Sequence, residues 1–481
     1  MSRIQVVSQV GLCSIGFDEA RLAVDIDMRP SGSLDDWLQR RGRTKRVFPS
    51  RPGDRAYQER GISELRGAVR VKQNPCYVLP CGGGKSFTAC KVSASAGIKG
   101  RGVGILTVRR ILVDDMSSRL RAFGVPHGII MAGREDNEHR TKIASVHTVA
   151  ERGLTLDVDL LFVDEAHQFL KGGFREVLDR HSHIPRVMLT ATPWRADGLG
   201  LGRIADVLVE GPSVDEMIGL GYLVPTRVFS RHVPDRSGLE QNSSGEFNER
   251  QLEALMSRPA IVGDCVKEWL YRANGRPTIV HAVNCAHSRA IVERFEAAGV
   301  HAVHIDASTP DTERKAAFDD MCAGAPAKTE SLLLDLAGNV CHFGHPDDDR
   351  QWTLADRDPK EKMAAGLSIR RCEKCWFCFR SHVPKCPNCG NQYVTTQREI
   401  KEKKEALKEV ARKKKEENKE RLAADESKEE RMAVFKRIMD QRYRSRHCKP
   451  GYYYHKYHGL TGHWPTKEMR ELCESLLAQM R

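Results

Sequence analysis

The sequence predicts an α/β protein with two parallel-sheet domains, followed by a cysteine knot and a charged C-terminal region. Three observations carry this. Between residues 75 and 345, short apolar runs alternate with helical patterns, as parallel strands covered by helices on both faces require. Five of the fifteen cysteines crowd between Cys372 and Cys389. From Gln397 to Arg431 the chain is almost entirely Lys, Arg and Glu.

A length of 481 residues suits about three domains at roughly 150 residues each. Hydrophobic residues at 40% exclude wholesale disorder. Lys and Arg exceed Asp and Glu by 77 to 64, a net charge of +13, which suits a polyanionic partner. No apolar run approaches the roughly 18 residues of a membrane span. The N-terminus has acidic residues where a signal peptide would need its cleavage site. The expectation is a soluble cytoplasmic protein with no membrane partner. The ten scattered cysteines are expected to be small buried hydrophobes.

The strand Cys76–Leu79 runs into Pro80-Cys81-Gly82-Gly83-Gly84-Lys85-Ser86 and then a helix. Glycines let the backbone wrap a phosphate, the helix N-terminus adds partial positive charge, Lys85 reaches the β- and γ-phosphates of ATP, and Ser86 ligates Mg²⁺. The full Walker pattern wants Gly at its first position, where Leu79 stands. Downstream, an apolar strand ends in Asp164-Glu165-Ala166-His167. Asp164 is placed to hold Mg²⁺ through water, and Glu165 to orient or deprotonate the attacking water. The next strand ends in Thr190-Ala191-Thr192, whose hydroxyls either couple phosphate to nucleic acid or simply end the strand. The runs Thr278–Val283, His301–Ile305 and Leu332–Leu336, with helical patterns at Ala286–Ala298 and Thr312–Met321, make a second sheet.

The P-loop, Asp-Glu-Ala-His and Thr-Ala-Thr in this order resemble a superfamily 2 helicase or translocase of the DEAD/DEAH-box kind. That resemblance implies two RecA-like domains of the P-loop NTPase fold. Arg55-Ala56-Tyr57-Gln58 resembles the motif in which a glutamine, here Gln58, reads adenine. Thr107-Val108-Arg109-Arg110 and Ser145-Val146-His147-Thr148 resemble motifs Ia and Ib, which implies Arg109, Arg110 and Thr148 on the nucleic-acid track. Thr278–Asn284 resembles motif IV. Ala191–Gly198, Gly221–Pro225, Leu334–Asn339 and Lys449–Tyr452 are similar to RadD-type DNA-repair helicases of bacteria and their phage relatives. The resemblance implies DNA, single-stranded or forked, as substrate, with replication or repair proteins as partners; the residues themselves do not separate DNA from RNA.

Motifs V and VI of that family are missing from their usual place, between Met321 and Ser331. Matching residues stand at the other end: Gly16-Phe17-Asp18, then Leu22–Ile26, then Gln39-Arg40-Arg41-Gly42-Arg43-Thr44-Lys45-Arg46. The resemblance gives Gly16 and Asp18 to the nucleotide, makes Gln39 catalytic, and makes Arg43 and Arg46 arginine fingers, because arginine offers a fixed charge in a planar fork. On this reading the second RecA-like domain is circularly permuted. Ten residues between Arg46 and Tyr57 span roughly 35 Å when extended, enough to reach the first domain. The expected domains are 1–48 completing the second RecA-like domain, 49–220, 221–345, a zinc ribbon at 368–395, a charged helix or linker at 396–435, and a basic aromatic module at 436–481.

In the ribbon, Cys372/Cys375 and Cys386/Cys389 form two C-x-x-C pairs for a tetrahedral, structural Zn²⁺. Cys375/Cys378 is the competing first pair; Trp376 favours Cys372/Cys375, with Cys378 starting a hairpin strand. In the tail, Tyr452, Tyr453, Tyr454 and Tyr457 among lysines and histidines read equally as a stacking platform for single strands or as the core of a small helical cap.

The activity expected is ATP hydrolysis between two RecA-like domains to move on nucleic acid. The alternative is a non-hydrolysing DNA-binding or scaffold protein with a relic ATPase core. Packing of residues 1–46 against 275–340 discriminates between them.

Overall fold

A computed structural model describes residues 3–10, 22–41, 45, 55–108, 110–135, 138–195, 197–231, 234–241, 247–325, 328–357 and 369–393, and, further on, 432–436, 439, 453–454, 457–458 and 464–478. The chain divides into two compact units, Met1–Thr395 and Thr396–Arg481.

In chain order the strands of the first unit are β1 (Val6–Gln9), β2 (Val24–Asp27), β3 (Pro75–Val78), β4 (Val103–Thr107), β5 (Gly128–Met131), β6 (Arg134–Glu135), β7 (Lys142–Ser145) and β8 (Leu160–Asp164). They continue as β9 (Arg186–Thr190), β10 (Val207–Glu210), β11 (Thr226–Phe229), β12 (Thr278–His281), β13 (Ala302–Ile305), β14 (Ser331–Asp335), β15 (Ile369–Arg371) and β16 (Cys378–Arg380). The first sheet has the order β10-β3-β9-β8-β4-β7-β5-β6 and is parallel except for β6. Helices cover both of its faces, so strands such as β4 and β7 are buried along their whole length and read as continuous apolar runs.

The second sheet has the order β11-β14-β2-β12-β1-β13, all parallel. Its central strands therefore come from two distant parts of the chain. Val24–Asp27 lies between residues 278–281 and 332–335, and Val6–Gln9 lies between 278–281 and 302–305. Residues of the N-terminal segment thus pack within the sheet formed by 275–340, the arrangement that favours the enzyme reading. Side chains stitch the segment in place. His281 Nε2 lies 2.9 Å from Asp25 Oδ1, and its Nδ1 lies 2.7 Å from Gln9 Nε2, all three buried. Asn339 Nδ2 donates to Asp27 Oδ2 at 2.6 Å, and Ser31 N–H donates to Asn339 Oδ1 at 2.9 Å. A buried polar network of this kind fixes register, because a slipped strand would leave its members unpaired.

The helix Leu34–Arg41 follows β2 and lays Trp37 against Val228, Leu333 and Val340. The hairpin β15–β16 then caps the β11 edge of the same sheet. Phe229 and Phe377 form a β-bridge, Ser230 N–H donates to the Trp376 carbonyl at 3.0 Å, and Arg371 Nη1 donates to the Arg231 carbonyl at 2.9 Å. An exposed edge strand is thereby covered.

Residues 346–357 link the two sheets. Asp347 receives the Thr226 amide and hydroxyl, both at 2.8 Å, on the second sheet. Trp352 then packs on Trp194 with ring centroids 5.1 Å apart, and Asp356 Oδ1 accepts from Gly200 N–H at 2.9 Å, on the first. No helix among the described residues is long and apolar enough to cross a membrane.

In the second unit, Phe435, Met439, Tyr453, Tyr457, Met469 and Cys473 form a small core. Tyr453 and Tyr457 are thus core residues of a helical module. The charged run at 397–431 lies outside the described residues. Of the scattered cysteines, Cys76, Cys90, Cys265, Cys322 and Cys473 are buried as expected, whereas Cys81 and Cys285 are half-buried and Cys341 is exposed.

Candidate functional site

β3 delivers the glycine turn to the mouth of the helix Lys85–Gly97. Gly82 and Gly84 take φ values of 87° and 93°, which glycine adopts without strain. A Cβ at Gly84 would also stand 2.2 Å from Gln58 Nε2. Leu79, at the position where the Walker pattern has glycine, is buried and extends the strand, its N–H donating to the Thr190 carbonyl at 3.1 Å. Lys85 Nζ donates to the Leu79 carbonyl at 3.4 Å, and half-buried Ser86 follows in the first helical turn, where backbone N–H groups have no intrahelical partner.

The residues before the P-loop clamp it. Tyr57 donates its hydroxyl to the Gly83 carbonyl at 2.7 Å, Gln58 Nε2 donates to the same oxygen at 3.3 Å, and Arg55 Nη1 donates to the Gly82 carbonyl at 3.4 Å. Gln58 is buried, and its other amide atom accepts from Arg55 N–H at 3.4 Å. Tyr57 and Arg55 are contacts that sequence reading passed over in favour of the glutamine.

β8 ends on Asp164, which is buried. Burial, and then the negative charge of Glu165, push its carboxyl up to about 7, while the Lys85 ammonium pulls the other way. Glu165 stands at φ 50°, a left-handed conformation that non-glycine residues seldom adopt and that recurs at functional turns. His167 Nδ1 lies 3.7 Å from Glu165 Oε2 and 3.3 Å from Thr190 Oγ1. The Thr190 hydroxyl donates to the Thr192 carbonyl at 2.6 Å, and the Thr192 N–H donates back to that hydroxyl at 3.1 Å. Because β8 and β9 are neighbours, the Asp-Glu-Ala-His and Thr-Ala-Thr elements form one hydrogen-bonded unit.

Of the run after β2, Arg40 and Lys45 have described side chains at its two ends. Arg40 is buried, with Nη1 on Asp27 Oδ1 and Nη2 on Asp36 Oδ2, both at 2.8 Å. Lys45, Leu38 and Arg350 line a cavity of about 180 Å³ together with Pro80 and Cys81 of the P-loop. Leu38 and Lys45 therefore lie beside the glycine turn. Gly16, Asp18, Arg43, Arg46 and Arg109 lie outside the described residues, as do the side chains of Gln39 and Arg110. Thr148 is buried, and His147 is the exposed residue of its turn.

In the cysteine knot, the sulfur atoms of Cys372, Cys375, Cys386 and Cys389 all lie within 4.8 Å of one another, with Cys372–Cys389 and Cys375–Cys386 each at 3.6 Å. Tetrahedral zinc with Zn–S of ~2.3 Å holds its sulfurs ~3.8 Å apart, so the four thiols fit that ion. Trp376 takes φ 63°, making the tight turn after Cys375. Cys378 starts β16 and faces Trp37 and Val228, away from the other four.

Comparison with known proteins agrees with this geometry. Residues 52–195 match the family described as type III restriction enzyme, res subunit. The 51.5 kDa protein of Lactococcus phage (isolate 7-9) is 29% identical over 238 residues, 49% of this chain and 49% of that protein. The Saccharomyces cerevisiae protein IRC3, provisionally named an ATP-dependent helicase, is 25% identical over 244 residues, 43% of this chain and 35% of its own. The chain thus spans about half or less of the length of these curated relatives. Among solved structures, the ATP-dependent Type ISP restriction-modification enzyme LlaBIII bound to DNA is similar at 12% identity and a TM-score of 0.39, over 61% of this chain and 25% of that one. The joined P-loop, Asp-Glu-Ala-His and Thr-Ala-Thr elements, and the relatives that share this stretch, support a superfamily 2 helicase core.

Proposed function

We propose that the chain is a DNA-dependent ATPase that moves on single-stranded or forked DNA, with its second RecA-like domain completed by the N-terminal segment. One observation carries the reading: β1 and β2 are interior strands of the second sheet, and the run that follows them reaches the P-loop at Lys45. The strand order supports a permuted second domain, because the sheet needs both parts of the chain.

In this reading Gly82, Gly83 and Gly84 wrap the phosphates, Lys85 holds the β- and γ-oxygens, and Gln58 stands at the adenine end. Ser86 and Asp164 would hold Mg²⁺, which would neutralise negative charge on the β- and γ-phosphate oxygens. Glu165 takes the proton of the attacking water, and His167 carries the state of that carboxylate to Thr190 and Thr192. Gly16, Asp18 and Gln39 line the second-domain side of the cleft. Arg43 and Arg46 bring positive charge to the transferring phosphoryl group when the two sheets close on DNA. Arg109, Arg110 and Thr148 belong to the DNA track. Zn²⁺ at Cys372, Cys375, Cys386 and Cys389 is structural, since four thiolates leave no open position.

The test is ATP hydrolysis by the full chain, with and without single-stranded DNA, beside Arg43→Ala. DNA-stimulated turnover that Arg43→Ala lowers by roughly 10³-fold is expected. A folded wild-type chain without turnover would return the protein to the DNA-binding alternative.

A further inference from the structure

The second sheet carries a further cluster of metal-ligating side chains, outside the cysteine knot and the P-loop. Cys285 opens the helix Cys285–Ala297 after β12, His304 lies in β13, and Asp306 follows it. Cys285 Sγ is 3.6 Å from Asp306 Oδ2, and His304 Nε2 is 3.0 Å from the same oxygen. The three donor atoms all lie within 4.8 Å of one another. Around tetrahedral Zn²⁺, mixed S, N and O donors stand roughly 3.3–3.6 Å apart, so small side-chain adjustments close the shell.

We propose that Cys285, His304 and Asp306 form a three-ligand zinc site with an open fourth position. The supporting contacts are already in place. His304 Nδ1 lies 2.7 Å from Ser288 Oγ, which lies 2.8 Å from Ser8 Oγ on β1. That chain orients the imidazole with Nε2 toward the cluster. Asp306 Oδ1 accepts from Ser308 N–H at 2.8 Å and from its hydroxyl at 2.6 Å, leaving Oδ2 for the ion. A thiolate with an imidazole selects zinc over magnesium or calcium, which take oxygen shells. The His304 and Asp306 side chains are 15% and 13% exposed, and Cys285 is half-buried, so the ion has a way in. On binding, the Cys285 thiol gives its proton to solvent, and the neutral His304 ring changes tautomer by exchange with solvent: Nε2 gives up the proton it directs at Asp306 Oδ2, and Nδ1 takes one up and donates it to Ser288 Oγ. Nothing is oxidised or reduced. The ion joins β12 to β13 across β1, and so fastens the N-terminal strand between them.

The full chain is dialysed against buffered Zn²⁺ and its zinc content measured beside Cys285→Ser and His304→Gln. Each variant is expected to hold one equivalent less than the parent, whatever the cysteine knot holds. Co²⁺ added to a variant with Cys372, Cys375, Cys386 and Cys389 all changed to Ser should still give a thiolate-to-cobalt absorption band, which the additional Cys285→Ser change removes. Equal zinc in the parent and both folded variants overturns the proposal. A readout on the parent chain serves if a variant does not fold: Zn²⁺ should slow alkylation of Cys285 by at least about tenfold, and an unchanged rate also overturns it.

Discussion

Lys45 Nζ lies 2.7 Å from Asp347 Oδ1, with the lysine buried and the carboxylate nearly so. The same ammonium donates to the Pro346 carbonyl at 2.7 Å, and the Lys45 carbonyl accepts from Val224 N–H at 2.8 Å. Although burial alone would raise it, the Asp347 carboxyl is held below the ordinary carboxylate range by the positive charge of Lys45 and by the Thr226 N–H. One ion pair thus joins the N-terminal segment, the entrance to β11 and the segment that crosses to the first sheet.

Removing either partner strands a buried charge. Lys45→Met or Asp347→Leu should each cost about 3–5 kcal/mol in urea unfolding, and the double variant should recover most of it. Single variants that each cost less than about 1 kcal/mol would mean that solvent screens the pair.

Lys85→Ala should lower ATP turnover by roughly 10²–10³-fold, because it removes a cation aimed at developing phosphoryl charge. Its affinity for single-stranded DNA, measured by fluorescence anisotropy, should stay within a factor of about three, since the proposed DNA track does not include Lys85. Wild-type turnover in the variant would move the phosphate site away from this loop.

His181 sets an acid limit on the first sheet. It is buried, its Nε2 accepts from Leu156 N–H at 2.8 Å, and its Nδ1 lies 2.7 Å from the Val177 carbonyl, an arrangement that needs the neutral ring. Burial lowers its proton affinity in the folded state. The unfolded chain therefore binds the extra proton first. This contribution to stability is complete above the unfolded value of about 6.5 and is lost as pH falls toward the depressed folded value. Thermal unfolding from pH 7.5 to 5 should show that slope, and His181→Gln should flatten it. An equal slope in the variant would assign it to other groups.

Zinc removal should reach beyond the knot. Because Phe377 bridges Phe229 and Trp376 accepts from Ser230, stripping the metal with a chelator should speed hydrogen exchange at Thr226–Phe229 as well as at 369–393. Faster exchange confined to 369–393 would show that the ribbon does not support the sheet edge.

Much of the scaffold was legible because parallel strands buried on both faces are short apolar runs bounded by turns. The runs at Leu160–Val163 and Arg186–Leu189 each fall within one residue of β8 and β9. The four zinc-type cysteines were legible from spacing, and Cys378 fell outside them because Trp376 makes the turn. Residues 346–357 were not legible. Asp347, Asp348 and Asp356 look like a solvated acidic linker, and only their distant partners Lys45, Arg380 and Arg203 reveal a structural segment. The Cys285, His304 and Asp306 cluster was hidden for the same reason, since β1 separates the two strands that bring it together.

The interleaved second sheet also has a consequence for synthesis on the ribosome. Val24 pairs with Leu332, so β2 leaves the exit tunnel some three hundred residues before its neighbour exists. At roughly 5–20 residues per second, its apolar face waits tens of seconds while the whole first sheet is made and folds. Strands made before the first sheet find their neighbours only after it, and the nascent chain carries an apolar segment that a chaperone holding extended chains would shield until Asp335 has emerged.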